Sequence, residues 1–164
     1  MDLTNLVSKS RYKQGFFRPK NPKKYKGDIN DIVFRSSWEY SFMEWCDSNP
    51  SVVEWISEGV VIPYIKPTDN RFHRYFIDFR IKIETINGLE EHLVEIKPYA
   101  QTQKPKGGKV YRGNLPKVWE TFLTNQAKWE AAQKYASQKG LKFTILDEYD
   151  LGLKKKESSR PRYS

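Results

Sequence analysis

Apolar and polar residues alternate along much of residues 59–97, a spacing typical of strands that bury one face in a sheet. The pattern predicts three strands, over 59–65, 73–83 and about 90–97. Asn87 and Gly88 separate the last two strands and predict a tight turn. The second and third strands should therefore be neighbours in a hairpin.

Helical spacing of apolar residues precedes these strands. The first predicted helix begins after Ser36, with Glu39 three residues later, as in a capping box. It ends at Asn49 and Pro50, because proline cannot continue a helix. Its apolar stripe is formed by Trp38, Phe42 and Trp45.

A second helix is predicted over residues 119–139, with Gly140 in the position of a C-terminal cap. The residues expected to share its buried face are Phe122, Ala127, Ala131 and Tyr135. A final strand follows over 141–146. The order helix, three strands, helix, strand predicts one α/β domain.

Charged residues interrupt the apolar alternation at two places in the predicted hairpin. Asp78 lies on the face opposite its apolar neighbours, whereas Glu95 and Lys97, two positions apart, share a face of the returning strand. The hairpin can thus bring two carboxylates and one ammonium together. The polar face of an ordinary half-exposed sheet would carry the same residues.

Converging carboxylates are the ligands that Mg²⁺ prefers, with waters and substrate phosphates completing its coordination. A bound divalent ion acidifies water and neutralises phosphoryl charge, and a nearby lysine can orient that water. Asp78, Glu95 and Lys97 therefore suggest phosphodiester hydrolysis, with Mg²⁺ as the expected cofactor and Mn²⁺ as an alternative.

The charge of the chain supports a polyanionic partner. The net charge is +9, and DNA is the leading candidate, although many soluble proteins are simply basic. Cys46 is the only cysteine, which excludes an intrachain disulfide and a cysteine-based zinc site. The N-terminus lacks a secretory pattern, and no run of about 18 apolar residues occurs. We expect a soluble, intracellular protein with no membrane contact.

The ends of the chain are basic. Residues 1–30 interleave lysines and arginines with aromatic residues, and we predict an extended arm that binds DNA or docks on a protein. Residues 98–117 carry no acid and predict a mobile basic loop. The predicted organisation is an arm over 1–30, a nuclease domain over 31–150 and a basic tail over 151–164.

The acidic residue, the Glu-Ile-Lys triplet and the element order together resemble the PD-(D/E)xK nuclease superfamily, from about Arg35 to Leu146. The resemblance implies a restriction-endonuclease-like α/β core of order αβββαβ, a mixed sheet flanked by helices. It implies that Asp78, Glu95 and Lys97 are catalytic and that the two carboxylates bind metal. Ile77 stands where the usual motif has proline.

Longer segments, among them "VFRSSWEYSFMEWCDSNPSVVEW" and "EIKPYAQT", resemble the head-completion nucleases of contractile-tailed bacteriophages. This resemblance implies DNA and phage head or portal-neck proteins as partners, and a place in the virion after assembly in the host cytoplasm. Two alternatives remain open. One is a non-catalytic head-completion or DNA-end-binding protein, and the other is a resolvase or transposon-type nuclease of the same fold.

Glu39, Gln126 and Lys128 are further site candidates from the resemblance, and Arg35, Ser36 and His73 are candidates from their places in the predicted helix and strand. Glu39 matches a helix carboxylate that adds to the metal site, or it only completes the capping box. The other candidates for DNA or site contacts are Arg35, Ser36, His73, Gln126 and Lys128. The alternatives are a helix cap for Ser36, a structural or solvated histidine for His73 and a solvated helix face for Gln126 and Lys128.

Overall fold

The computed structural model describes residues 14–107 and 116–153. In chain order the strands and helices are β1 (Gly15–Phe16), β2 (Val33–Phe34), α1 (Ser37–Ser48), β3 (Val52–Ser57), β4 (Val61–Lys66), β5 (Arg71–Phe76), β6 (Phe79–Thr85), β7 (Gly88–Ile96), α2 (Tyr99–Thr102), α3 (Lys117–Lys139) and β8 (Lys142–Leu146). A 3₁₀ turn covers Pro22–Lys24.

A four-stranded mixed sheet of order β3-β6-β7-β8 forms the centre of the fold. Strands β3, β6 and β7 are antiparallel, and β8 runs parallel to β7 after the crossover through α3. The elements α1, β3, β6, β7, α3 and β8 reproduce the predicted αβββαβ order. The restriction-endonuclease-like fold class is therefore confirmed.

The first strand of the central sheet is β3 and not the predicted strand over 59–65. Val52 and Trp55 are its buried residues, and a register irregularity between Val52 and Glu54 places them three positions apart. This bulge removes the period-two pattern by which a strand is recognised. Residues 61–66 pair with β5 in a separate two-stranded hairpin.

The strand predicted over 73–83 is two strands, which separate at Ile77 and Asp78. There the Ile77 N–H donates to Val60 O at 3.0 Å, and the Asp78 carbonyl accepts from Glu58 N at 3.0 Å. The chain bends at Asp78 as it passes from the β4–β5 hairpin into the central sheet, but the buried residues Tyr75, Ile77 and Phe79 remain two positions apart. The alternation of apolar residues therefore continues across the break and conceals it.

Two hydrophobic clusters lie on opposite faces of the sheet. Val94 and Leu93, successive residues of β7, belong to different clusters, as pleating requires. Helix α1 covers the first cluster, whereas α3 and the β4–β5 hairpin cover the second. The buried residues of α3 are Asn125, Trp129, Ala132 and Ala136. The buried stripe therefore lies beside the predicted one, whose Ala127, Ala131 and Tyr135 are only partly buried. The buried stripe begins at a polar residue, Asn125, so the spacing of apolar residues did not indicate it.

The N-terminal segment packs on the domain from residue 14 onward. Phe17 and Tyr25 are buried against Trp55, and the Asp47 carboxylate accepts backbone N–H groups from Lys20 and Asn21 at 2.8 and 2.9 Å. These aromatic residues stabilise the core, so they are not free to stack on DNA. The division into arm, nuclease domain and tail stays a prediction.

Other parts of the predicted basic segments fall outside the described residues, namely 1–13, 108–115 and 154–164. The predicted loop over 98–117 contains the short helix α2. Leu151, assigned to the tail, is fully buried in the first cluster. Within the described ranges, no helix has the length and apolarity needed to cross a membrane.

Candidate active site

The carboxylate of Asp78 is fixed against the end of β7. Phe79 pairs with Val94 in the β6–β7 hairpin, so the same register places Asp78 opposite Glu95. Asp78 Oδ2 accepts the backbone N–H of Ile96 at 2.8 Å. The break between β5 and β6 leaves Asp78 outside a regular strand, so its side chain can turn to that N–H group.

Glu95 and Lys97 complete the group predicted from the sequence. Glu95 is 5% exposed, and its Oε1 lies 3.6 Å from Lys97 Nζ. Glu95 Oε2 is buried without a hydrogen-bond partner among the described residues. A buried carboxylate oxygen without a partner is costly, and a cation is the kind of ligand that would remove that cost.

Burial and mutual repulsion dominate the electrostatics of the two carboxylates. Burial raises the pKa of Asp78 well above its usual range, and the charge of Glu95 raises it further. Burial likewise raises the pKa of Glu95, although Lys97 counteracts this effect. Two acidic groups that resist ionisation in one buried place are typical of functional sites.

The donor set fits a divalent cation with few protein ligands. Asp78 and Glu95 supply hard oxygen atoms, one of them unpartnered. Across residues 14–107 and 116–153, no three His, Cys, Asp or Glu side chains are disposed to hold a metal ion. Mg²⁺ often takes only one or two protein carboxylates and completes its octahedron with water and phosphate oxygens. The two carboxylates therefore suit Mg²⁺ better than a metal needing a full protein cage.

Glu39 combines a capping role with proximity to the carboxylates. Its N–H donates to Ser36 Oγ at 3.1 Å, which confirms Ser36 as the helix cap. Its Oε2 accepts the backbone N–H of Arg35 at 2.8 Å, one residue earlier than in a standard capping box. Burial raises the pKa of Glu39, and the charge of Asp78 adds to the increase. Glu39 is thus within electrostatic reach of Asp78.

The remaining candidates occupy different places. Arg35 is exposed and forms an ion pair with Glu58. His73 lies on the β4–β5 hairpin, where its Nε2 contacts Asp69 Oδ2 at 2.7 Å. Four residues separate His73 from Asp78, and the chain bends at Asp78. The side-chain hydrogen bond and ion pair that the structure describes for His73 are with Asp69 and not with Asp78 or Glu95, and Gln126 is exposed on α3.

Lys128, the other candidate on α3, does reach the site. Burial lowers the pKa of Lys128, as does repulsion from Lys97, whereas the charges of Glu95 and Asp78 raise it. Its Nζ lies 5.4 Å from the centroid of the Tyr75 ring. Lys128 therefore adds a second ammonium beside the carboxylates.

Tyr75 is a site residue that the sequence pattern missed. An unbroken strand would place Tyr75 on the face opposite Asp78. The break at residues 77–78 instead brings the Tyr75 ring close enough to Asp78 and Glu95 to interact with their charges. Burial raises the pKa of the Tyr75 hydroxyl, and the charge of Glu95 raises it further. Neither Tyr75 Oη nor Glu95 Oε2 makes a hydrogen bond of good geometry within the described chain.

Comparison with known proteins agrees with this geometry. The profile of the family described as "TnsA-like endonuclease N terminal" matches residues 49–148, a range that contains Asp78, Glu95, Lys97 and Lys128. The head completion nuclease of Enterobacteria phage T4 is 39% identical over 138 residues, which cover 82% of this chain and 90% of that protein. No solved structure matches the chain significantly. Because the profile covers more than half of the chain, the chain belongs to the TnsA-like endonuclease family and is a nuclease.

Proposed function

We propose that this protein is a metal-dependent DNA endonuclease that acts in phage head completion. The observation that carries the proposal is the buried pair formed by Asp78 and Glu95, with Lys97 Nζ 3.6 Å from Glu95 Oε1. A divalent cation would neutralise this pair and give Glu95 Oε2, which has no hydrogen-bond partner among the described residues, a ligand. Mg²⁺ is the proposed cofactor, and Mn²⁺ is an alternative with similar ligand preferences.

Each residue has a separate task in the proposed reaction. Asp78 and Glu95 would hold the divalent ion, which supplies charge neutralisation at the phosphoryl group and an acidified water. Lys97 Nζ would donate a hydrogen bond to the attacking water or to a phosphoryl oxygen as negative charge develops there. Glu39 would hold a water of the metal shell. The water oxygen forms a bond to phosphorus, and the bond to one ester oxygen breaks.

Cleavage assays with a matched pair of variants test this proposal. Plasmid, linear and branched DNA are incubated with Mg²⁺, Mn²⁺ or EDTA. Glu95→Gln should lower the rate about a thousandfold, as expected when about 4 kcal/mol of transition-state stabilisation is lost. Glu91→Gln is the control, because Glu91 lies four residues earlier on β7 and pairs with Arg80. Equal cleavage by the two variants, or cleavage in EDTA, would overturn the proposed site.

The role in head completion rests on the 39% identity with the phage T4 protein of that name. A packaged head holds DNA with one end at the portal, where a small basic nuclease could process or engage that end. Phage head or portal-neck proteins and DNA are the proposed partners, with assembly in the host cytoplasm and retention in the virion. Residues 1–13 of the predicted arm and 154–164 of the predicted tail would then hold the protein on DNA or on a neck protein.

A phage carrying Glu95→Ala separates catalysis from structure. We expect heads that package DNA but do not become infectious, and we expect added active protein to restore them. Rescue by purified Glu95→Ala protein would instead support a structural head-completion protein. A normal plaque yield from the mutant phage would show that cleavage is dispensable.

A further inference from the structure

A lysine-lined cavity of about 290 Å³ lies between helix α3 and the end of strand β4. Its lining includes Lys66, Lys117 and Lys128, against one carboxylate, that of Glu120. The lysines therefore exceed the acids by two. Across the described ranges, none of the three lysines forms an ion pair with a carboxylate.

Hydroxyl groups supply the cavity with further hydrogen-bond donors. Thr68 lies at the β4–β5 turn, and Thr121 and Thr124 lie one and two turns into α3. The N-terminal turns of a helix also carry partial positive charge. A cavity that combines ammonium groups, hydroxyls and a helix start suits a phosphate, whose oxygens accept several charge-assisted hydrogen bonds.

Asn125 gives an independent indication of a ligand. This residue lines the cavity and is only 5% exposed. Its Nδ2 has no hydrogen-bond partner among the residues that the structure describes. An unsatisfied buried donor costs about 1–3 kcal/mol, so such groups are rare unless a ligand or a water uses them.

Lys128 joins this cavity to the catalytic carboxylates. It lines the cavity, and its ammonium also interacts electrostatically with Glu95 and Asp78. We propose that the cavity is a phosphate-binding subsite that holds a non-scissile phosphate of the DNA while the scissile phosphate lies at the carboxylates. The assignment of the ligand to DNA rests on the proposed function. The phosphate is either internal to the strand or at its end.

Binding measured in EDTA tests the subsite without cleavage. A short duplex is titrated at several salt concentrations against the wild type, Lys66→Ala and Thr121→Val. The matched control is Lys134→Ala, which removes an exposed lysine of α3 outside the cavity. Lys66→Ala should bind about tenfold more weakly, the loss expected for one charged hydrogen bond. For Lys66→Ala, the slope of the logarithm of the binding constant against the logarithm of salt concentration should be smaller in magnitude by about 0.9, as expected for one lost phosphate contact.

The control separates this inference from the proposed endonuclease activity. If Lys66→Ala and Lys134→Ala weaken binding equally, the lysines act only as general surface charge and the subsite is refuted. If the wild type never cleaves DNA but Lys66→Ala alone loses the phosphate contact, the subsite stands and the endonuclease proposal fails. Thr121→Val removes one hydroxyl group from the cavity lining without changing the charge. We expect this variant to bind the duplex more weakly, with an unchanged salt slope.

Modified duplexes identify which phosphate occupies the cavity. Uncharged methylphosphonates are placed singly at successive positions near the cleavage site, and a second set of duplexes has or lacks a 5′-phosphate. The modification that removes the bound phosphate should weaken duplex binding by the wild type but not by Lys66→Ala, because the DNA modification and the substitution delete the same interaction. Coupling to one internal position indicates a backbone phosphate, and coupling to the 5′-phosphate indicates a strand end. Absence of coupling at every position and at the end would overturn the subsite.

Discussion

Replacing Asp78 by asparagine should stabilise the metal-free protein while it abolishes cleavage. Burial and the charge of Glu95 raise the pKa of Asp78, so ionising this carboxyl costs native-state stability. Each unit by which a carboxyl pKa is raised on folding corresponds to about 1.4 kcal/mol of stability lost once the pH exceeds the raised value. Asparagine keeps an oxygen for the Ile96 N–H and offers an N–H group toward Glu95. We expect the free energy of unfolding at pH 8 to rise by about 2 kcal/mol, somewhat less than the electrostatic cost because the amide is itself buried.

The sign of the pH dependence follows from proton linkage. Because the folded pKa of Asp78 lies above the unfolded value, the native state retains a proton that the unfolded state has lost. Wild-type stability should therefore fall as pH rises from about 4, the usual value for aspartate, toward the raised pKa. The asparagine variant lacks this contribution, so its advantage should grow with pH over the same range.

Urea unfolding in EDTA between pH 5 and pH 8 measures this difference directly. The control is Asp69→Asn, at an exposed carboxylate whose pKa is lowered by the Arg71 backbone N–H and by His73. That substitution should give no gain in stability. Addition of Mg²⁺ should raise the stability of the wild type by ligand linkage but raise that of Asp78→Asn much less. If Asp78→Asn is less stable than the wild type at pH 8 in EDTA, the proposed repulsion is refuted.

Three further results are expected. Glu39→Gln should keep the melting temperature, because glutamine can still accept a hydrogen bond from the Arg35 N–H. It should lower the rate of cleavage if Glu39 serves the metal, whereas unchanged activity would leave capping as the whole role of Glu39. Asp47→Ala should cost about 3 kcal/mol in urea unfolding, since two backbone N–H groups lose a buried acceptor, whereas Glu44→Ala on the exposed side of α1 should cost little. Deleting residues 1–13 should reduce the salt slope of DNA binding by about 0.9 for each phosphate contact; an unaltered slope would assign the segment to protein docking.

The proximity of the two carboxylates could be predicted because it depends on local geometry. A hairpin with a short turn fixes its own register, and residues two apart on a strand share a face whatever the rest of the fold does. These two facts suffice to bring Asp78 near Glu95 and Lys97. The last pair of the hairpin is Thr85 with Gly88, so the turn is also close to its predicted place. Gly88 has a φ of 104°, which glycine adopts readily.

Other parts of the site depend on tertiary packing that no periodic pattern records. Tyr75 reaches Glu95 only because the chain changes sheets at residues 77–78, where the alternation is unbroken. Asn125 is a polar residue on the buried stripe of α3, so a search for apolar periodicity passes over it. The proximity of Glu39 to Asp78 depends on how α1 packs on the sheet, which a capping motif does not determine.

The β4–β5 hairpin contributes both to the surroundings of the Asp78 and Glu95 carboxylates and to the adjoining lysine-lined cavity. One of its faces, with Ile62 and Tyr75, packs in the cluster under α3, and the end of β4 supplies Lys66 to the cavity. The same packing excludes water from Asp78 and Glu95, which costs stability but strengthens every charge interaction there. A substitution that loosens the hairpin against α3 should therefore impair catalysis and phosphate binding together, whereas changes at Lys66 should affect phosphate binding first. The two sites would then share one structural support while remaining separable by mutation.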